Sequence, residues 1–223
     1  MRAPNSSGAH RAAFTLLEVI ISITVFSFIM VSVLSCWKVI VTGKIVSEQA
    51  AAAAQRARIG IKSVEEALEC AEISQNNIQY YAFLTDTSEK FASLSLAARL
   101  PAAFPGSPLF GDNVIRRVTF DVERGNDGHD NLVMTQSPLL EAVDAANPAY
   151  PIILARDVNI FTLEFWSTNE DAWVVAWEGR NGPITNQLPP SVRVTLGCGH
   201  SAEQPDTPYV VYVREVAIPA VAH

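Results

Sequence analysis

The sequence has few of the residues that common catalytic and metal sites use. Its 223 residues include only four histidines and three cysteines. No two of the histidines beyond the N-terminal region, His129, His200 and His223, lie at a metal-binding spacing. A nucleophile elbow, a zinc-protease helix motif and a phosphate-binding glycine loop do not occur in the sequence. The sequence therefore predicts a protein that is not an enzyme and that needs no cofactor or metal.

Two short segments contain side chains that could in principle bind a metal ion. Arg124–Asn131 is rich in oxygen ligands, but its spacing does not fit an EF-hand, and Asn, Asp and Gly are also the residues that a hairpin turn requires. Gly197–His200 offers only one Cys and one His. We therefore interpret both segments as turns.

Basic residues are scarce relative to acidic ones. The chain has 16 Lys and Arg against 23 Asp and Glu, which gives a formal net charge of −7. Nucleic-acid binding depends on clustered basic side chains that displace counterions. The charge balance therefore argues against nucleic acid as a partner, and equally against an anionic membrane surface beyond any anchor.

Three cysteines are too few for a disulfide-stabilised scaffold. Cys36 lies in an apolar stretch, where a free cysteine acts as a small hydrophobic residue. Cys70 and Cys198 could pair in an oxidising compartment, but their separation along the sequence does not determine whether their Cα atoms come within bridging distance. The pairing of these two residues is left open.

The most informative feature that the sequence does have is a long apolar segment near its N-terminus. Between Phe14 and Val41 only Glu18 and Lys38 are charged, and a helix over this range would be about 42 Å long at about 1.5 Å per residue. Such a helix spans a bilayer. A carboxylate inside hydrocarbon costs about 2–3 kcal/mol on insertion scales, so Glu18 needs a partner or a shallow position.

This apolar segment has two simpler interpretations. A secretory signal would be cut near Ala50–Ala54, but its apolar core would be too long, and charged residues such as Lys38 and Lys44 intervene. A plain single-span anchor shares every feature except the sequence Phe14–Glu18. That short sequence therefore decides between an anchor alone and a more specific role.

The residues around the first carboxylate form the pattern Arg11-Ala12-Ala13-Phe14-Thr15-Leu16-Leu17-Glu18-Val19. This pattern resembles the class III signal of type IV pilins and type II secretion pseudopilins. The resemblance implies that a prepilin peptidase cuts after Ala13, that Phe14 becomes the N-methylated first residue, and that Glu18 is the fifth residue of the mature chain. The family usually has Gly where this sequence has Ala13. Basic residues before the span, such as Arg2, predict that the N-terminus faces the cytoplasm.

Removal of the leader would create a partner for Glu18. The cut would leave a positive amine on Phe14 at the membrane face, and the carboxylate of an adjacent subunit could pair with it. Such a pair is worth on the order of a few kcal/mol at an effective dielectric of about 20, before desolvation is subtracted. It would favour a definite axial stagger between subunits. The alternative is an interfacial glutamate that merely extends to water.

Beyond the apolar segment the sequence continues to favour helix. Residues 44–72 are rich in Ala, Gln, Glu, Arg and Lys and contain no proline. A single helix from Phe14 to about Ser74 is therefore predicted, with Gly43 as the most favourable place for a bend or a local break. The Ala50–Ala54 run fits either close packing or high helix propensity. The face of this half that we expect to pack on a sheet comprises Ile45, Ala52, Ile59, Ser63 and Ala67.

The second half of the sequence changes to the two-residue period of β-strands. Ser93–Arg99 is predicted to be a short helix, and Leu100–Asn113, with three prolines and two glycines, a loop. Val118–Val122 and Leu132–Gln136 alternate on either side of Gly125–Gly128, which predicts a hairpin. The further strands predicted are Ile152–Leu154, Asn159–Trp166, Trp173–Trp177, Ser191–Leu196 and Tyr209–Val216. We expect the later ones to form an antiparallel meander in which Trp173, Val175 and Trp177 share one face.

A long helix followed by antiparallel strands predicts an α+β protein. In this arrangement a long N-terminal transmembrane helix packs on an antiparallel β-sheet domain, as the resemblance to pilins also implies. We expect a leader peptide at residues 1–13, a transmembrane helix at 14–41, a periplasmic extension of the helix at 42–74 and a soluble β-rich pseudopilin domain at 75–223.

Three features of the C-terminal half occur together: an aromatic-ended strand at Val158–Trp166, the tryptophans Trp173 and Trp177, and a Leu-Pro-x-x-Val-Arg sequence within Leu188–Leu196. Alternation in the last segment predicts three buried side chains, Val192, Val194 and Leu196. These features resemble the J class of minor pseudopilins. The resemblance implies assembly with other minor pseudopilins and the major pseudopilin, and a single span in the bacterial inner membrane with the C-terminal domain in the periplasm.

We therefore expect a minor pseudopilin of a type II secretion pseudopilus, assembled after prepilin-peptidase cleavage. The alternative is a minor type IV pilin that acts as a tethered adhesion or DNA-uptake module. A tethered hydrolase is a further alternative, against which the few histidines argue. An exposed aromatic or basic patch would favour the adhesive module, whereas burial of Trp166, Trp173 and Trp177 would favour a filament subunit.

Overall fold

The computed structural model describes residues 15–74, 77–126, 128–139, 151–177, 187–200 and 207–219. The chain divides into two compact units, residues 1–48 and residues 49–223. The predicted leader at residues 1–13 lies outside the described residues, and so do both residues of the predicted cleavage site, Ala13 and Phe14.

One long helix precedes nine strands in the part of the chain that the structure describes. The helices are α1 (Leu16–Glu69) and the single-turn α2 (Ile78–Tyr81), and a 3-10 turn covers Ser107–Leu109. The strands are β1 (Leu84–Asp86), β2 (Ser93–Arg99), β3 (Ile115–Arg124), β4 (Asp130–Pro138), β5 (Ile152–Ala155), β6 (Val158–Ser167), β7 (Ala172–Val174), β8 (Ser191–His200) and β9 (Pro208–Ala217). A long N-terminal helix followed by antiparallel sheets is the α+β, pilin-like architecture that the sequence predicted.

The helix α1 ends earlier than the sequence predicted. It is continuous through Gly43, so the local break expected there is absent, and it ends at Glu69 rather than near Ser74. The reason is that the backbone beyond Glu69 bonds to a strand instead. The Arg99 N–H donates to the Cys70 carbonyl oxygen at 2.9 Å.

The first sheet has five antiparallel strands in the order β1-β2-β3-β4-β5. The predicted hairpin is confirmed as β3 and β4, with Phe120 opposite Met134. In its turn the Gly125 N–H donates to the His129 carbonyl oxygen at 2.8 Å. The described residues of Arg124–Asn131 therefore close a hairpin, as interpreted.

The helix predicted at Ser93–Arg99 is wrong, because these residues form β2. Leu94, Leu96 and Ala98 alternate along the strand and are each at most 1% exposed. Ala and Leu favour helix in isolation, but β1 and β3 give this segment a hydrogen-bonding neighbour on each side. Strand pairing has overridden local propensity.

The second sheet has four strands in the order β7-β6-β8-β9, so the predicted meander is wrong. β8 pairs with β6 rather than with β7, and β7 is left as a three-residue edge strand. The predicted buried stripe of β8 is confirmed, with Val192, Val194 and Leu196 each at most 1% exposed. Gly197–His200, interpreted as a turn, is instead the end of β8.

The tryptophans near β7 lie on both faces of the second sheet. Trp173, Val175 and Trp177 do not share one face as predicted, because β7 ends at Val174. Trp177 is 8% exposed in the core, and its indole N–H donates to the Gln187 carbonyl oxygen at 3.2 Å. Trp173 faces away from the core.

The core of the second unit is formed by α1 and both sheets. The side chains of α1 that enter it recur at helical spacing and include Ala57, Ile61, Val64 and Leu68. The predicted face of the helix is therefore only partly correct. Ser63 and Ala67 are buried, but Ile45 and Ile59 are about half exposed.

Gly60 explains why the buried face differs from the predicted one. A Cβ at this position would lie 3.2 Å from a Leu196 methyl of the second sheet and 3.4 Å from a Leu132 methyl of the first. Glycine therefore lets the helix approach both sheets closely. The predicted face omits Gly60, because a residue without a side chain adds nothing to an apolar pattern.

A second close approach involves Gly199 in β8. Its φ of +76° is in the left-handed region, and a Cβ there would lie 2.7 Å from the Tyr209 ring and 2.9 Å from the Ala53 Cβ. Ala53 belongs to the Ala50–Ala54 run and is 4% exposed. At Ala53, therefore, the run allows the helix to pack closely on β8, which is the first of the two interpretations given for it.

All three cysteines are free thiols, so the pairing of Cys70 with Cys198 that the sequence left open is not formed. Cys198 is buried, and burial followed by the charge of Asp157 raises its pKa to about 12. Cys70 is half-buried, and its pKa is raised by burial first and then by neighbouring carboxylates such as Glu66. Both thiols therefore stay protonated near neutral pH.

We expect Gly199→Ala to lower the free energy of unfolding by about 3–5 kcal/mol, because a methyl group adds a steric clash to the strain of a positive φ. Gly128→Ala is the matched control, since its φ is +80° and a Cβ there would meet no atom within 4 Å. It should lose only the strain of about 1–2 kcal/mol. Denaturant unfolding of the full chain in detergent measures both, and equal losses would contradict the close packing.

The two thiols of the second unit should differ in reactivity towards a maleimide at pH 8. Cys70 should react slowly in the folded protein and Cys198 only after unfolding, because the thiolate is the nucleophile and Cys198 is both buried and protonated. Mass spectrometry with and without denaturant gives the modified positions. A Cys70–Cys198 disulfide peptide in a non-reducing digest would show that the arrangement is wrong.

Candidate functional site

The start of α1 is built by Thr15 and Glu18. The Thr15 hydroxyl oxygen accepts the Glu18 N–H at 3.3 Å, and the Thr15 carbonyl oxygen accepts the same N–H at 3.0 Å. Threonine at the N-cap and glutamate three residues later have the spacing of a capping box. Thr-Leu-Leu-Glu therefore starts the helix directly after the predicted cleavage site at Ala13 and Phe14.

The carboxylate of Glu18 is exposed at this helix end. Among the described residues no side chain donates a hydrogen bond to it. Its place in the first turn is favourable, because the N-terminal end of a helix carries partial positive charge. The carboxylate is therefore open to a group from another chain. Its pairing with an amine on Phe14 stays a prediction, since Phe14 lies outside the described residues.

The helix surface that follows is apolar and exposed. Every described residue from Leu16 to Gln49 is exposed, and the most apolar 18-residue window has a mean hydropathy of 2.5 with none of its residues buried. By length and composition this helix can cross a membrane. Nothing in the described residues of the first unit covers its apolar side chains.

The hydroxyl groups between Glu18 and Lys38 bond to the backbone of their own helix. The Ser22 hydroxyl donates to the Glu18 carbonyl oxygen at 2.7 Å, and the other hydroxyls do the same one turn back, Thr24 to Ile21, Ser27 to Ile23, Ser32 to Phe28 and Ser35 to Val31. Hydrocarbon offers no water to satisfy such groups. The internal bonds make this polar content compatible with a lipid environment.

Two charges mark the ends of the apolar surface. Residues 19–37 between Glu18 and Lys38 carry no charge and extend about 28 Å at about 1.5 Å per residue. The hydrocarbon core of a bilayer is about 30 Å thick. Each charge can therefore reach one face of the bilayer, with Trp37 at the boundary where aromatic residues are common.

Residues 8–34 match the prokaryotic N-terminal methylation motif, which is the signal of type IV pilins and pseudopilins. This motif supports a pilin-like protein. The motif supports a type IV pilin-like or pseudopilin precursor with a structural, non-enzymatic role, and the apolar helix fits a membrane-anchored protein. No curated protein matches the sequence of this chain.

The Leu-Pro-x-x-Val-Arg sequence of the second sheet ends at Arg193, which lies between two carboxylates. Arg193 Nη1 donates to Glu164 at 3.0 Å, and Nε and Nη2 donate to one oxygen of Glu215 at 3.0 and 2.9 Å. These hydrogen bonds raise the pKa of Arg193. The guanidinium also lies 4.0 Å from the Trp173 ring, which packs edge to face on Trp166. The cluster joins all four strands of the second sheet.

The burial of the three tryptophans does not favour one side alone in the choice between a filament subunit and an adhesion module. Trp177 is buried in the core, as expected of a filament subunit, whereas Trp166 and Trp173 are half-buried on the outer face of the sheet. The positive charge beside them belongs to Arg193 and is balanced by carboxylates. The described part of this face is therefore aromatic without being a basic patch.

Arg116 is a buried arginine that sequence reasoning missed. It is 2% exposed, its Nη2 donates to the Ser107 hydroxyl at 2.7 Å, and its guanidinium lies 5.0 Å from the Phe110 ring. Burial lowers its pKa. Its position was detectable, because Arg116 has the same parity as Val118 and Phe120, which form the buried face of β3. Through its hydrogen bond to Ser107, Arg116 links the 3-10 turn to β3.

Proposed function

We propose that this chain is a minor pseudopilin of the J-like class, which a prepilin peptidase cleaves and which then joins a type II secretion pseudopilus. The start of α1 supports the proposal most strongly. An exposed carboxylate stands in the first turn of a helix whose N-terminus Thr15 caps, and the described residues of the first unit leave the apolar surface of this helix exposed. Such a surface is stable in lipid and against similar helices, so the helix can be stored in the membrane and then pass into a bundle.

In this proposal Glu18 sets the stagger between neighbouring subunits. Cleavage after Ala13 would leave a positive amine on Phe14, and the carboxylate of the next subunit would attract it by about 4 kcal/mol at 4 Å and an effective dielectric of about 20, before desolvation. A shift along the axis would separate the two charges and lose this attraction. The pair therefore selects one register out of many that apolar packing alone would allow.

The J-like assignment rests on the second sheet. The features that resemble that class are the aromatic-ended β6, the tryptophans Trp173 and Trp177, and the Leu-Pro-x-x-Val-Arg sequence. Of these, β6, Trp173 and Arg193 belong to the second sheet. The partners proposed are the other minor pseudopilins and the major pseudopilin. The span at 14–41 would lie in the bacterial inner membrane, and the helical extension at 42–74 and the domain at 75–223 in the periplasm.

The processing step predicts that the mature protein begins at Phe14. N-terminal mass spectrometry of the protein from its host should find this residue methylated and the first 13 residues absent. Ala13→Gly should be cut at least as completely, because Gly is the usual residue of the signal, whereas Ala13→Asp should keep its leader. An intact Met1 in the unmodified chain, in cells with an active peptidase, would remove the processing step.

Glu18→Ala should insert into the membrane at least as well as the unmodified chain, because alanine is apolar and carries no charge that must stay hydrated. Its copurification with neighbouring subunits should fall about tenfold or more, since the register-setting pair is lost.

Glu48→Ala is the matched control, because Glu48 is an exposed glutamate on the same helix that lies beyond the apolar segment and pairs with Lys44 at 3.7 Å. It should leave copurification unchanged. Equal copurification of Glu18→Ala and the unmodified chain would count against the pairing role.

A further inference from the structure

In the described part of the chain the two sheets have four edge strands, and three of these strands are short. β1, β5 and β7 contribute three or four residues each, whereas the edge strand β9 has ten. At about 3.3 Å per residue this edge is about 33 Å long. Proteins usually keep edge strands short or protected, because an open row of backbone groups pairs with other chains. The length of β9 therefore needs an explanation.

Half of the backbone groups of β9 point away from the sheet. The Ile218 N–H donates to the Pro190 carbonyl oxygen at 3.0 Å, and the same register continues with Ala217 opposite Ser191. Residues of an antiparallel pair alternate between hydrogen-bonded and non-hydrogen-bonded positions. Even-numbered residues of β9 therefore bond to β8. The residues whose N–H and C=O groups point outwards are Tyr209, Val211, Val213, Glu215 and Ala217.

The side chains along this open edge are mostly apolar. Val211 and Val213 are 45% and 48% exposed, and Tyr209 is half-buried. The Arg214 guanidinium donates to the Val213 carbonyl oxygen at 3.3 Å, so the strand itself covers one acceptor of the edge. Among the described residues no other group bonds to the outward backbone between Tyr209 and Val213.

We propose that the outer edge of β9 receives an extended segment of a different subunit, which pairs as a fifth strand of the second sheet. A helix satisfies its own backbone groups, so only an extended chain supplies a matching row of donors and acceptors. Val211 and Val213 favour apolar side chains opposite them. The inference rests on the proposed function for the source of the segment, which is another subunit of the same assembly.

A second copy of this chain fits the edge less well. When two β9 strands pair antiparallel along their full length with their outward groups facing, Glu215 falls opposite Tyr209 or Val211 of the other copy. Each copy also carries a net charge of −7, which opposes their association. A segment with alternating apolar residues and a basic residue opposite Glu215 avoids both difficulties.

Val213→Pro tests whether another chain pairs with the outer edge of β9. Proline removes the outward N–H of residue 213, which does not bond to β8, and edge strands tolerate proline at such positions. A photo-crosslinking amino acid at Val211 of the full chain, irradiated in native membranes, should join a single neighbouring subunit. Mass spectrometry should place the linked residues two apart along one segment. Val213→Pro should lower the yield of the crosslinked adduct about tenfold, which is the factor expected for one lost hydrogen bond. Val213→Ala keeps the N–H and should lower this yield only about twofold.

The reciprocal pair, with the crosslinker at Val213 and Val211→Pro, repeats the test at the other open position, so one poorly folding variant does not decide it. Adducts with a second copy of this chain, contacts at helical spacing, or yields that neither proline changes would overturn the inference. It is also overturned if no adduct forms while the chain still copurifies with its neighbours. Loss of copurification in the unmodified chain would instead overturn the proposed function, and this inference with it.

Discussion

An apolar helix surface that the described residues of its own unit leave exposed is the constraint on which the rest of this protein depends. Within the single helix α1, residues 16–49 expose their side chains, whereas Ala57, Ile61 and Leu68 are buried in the core. The same helix therefore meets two environments. The N-cap at Thr15, the hydroxyls that bond to their own backbone and the charges at either end of residues 19–37 are what a lipid environment requires of the first part.

Small residues determine how the second part of α1 meets the sheets. Gly60 faces Leu196 and Leu132, and Ala53 faces Gly199, at distances that larger side chains would not allow. Large apolar residues fill most of a protein core, but these contacts depend on glycine and alanine, whose small size leaves room for a close approach. The sheets can lie close to the helix because each of these contacts pairs a glycine with a methyl group.

The structure separates what is local in this chain from what is not. The β3–β4 hairpin was predictable because the alternating strands and their turn residues are neighbours in sequence, and the buried stripe of β8 follows from its own alternation. The β2 strand was not predictable from its composition, because Ala and Leu favour helix until β1 and β3 pair with it. The order β7-β6-β8-β9 was missed for the same reason, since β8 pairs with a strand about 30 residues away in the chain.

The sequence by itself determined the membrane-competent helix, the motif at residues 8–34 and the α+β class, because each is a pattern of neighbouring residues. Only the tertiary structure decided which face of α1 is buried, that the cysteines remain apart and that β9 is an edge strand among the described residues. These features depend on backbone hydrogen bonds and on contacts between distant segments. Backbone groups are the same in every residue, so the pairing of strands leaves little trace in the order of side chains.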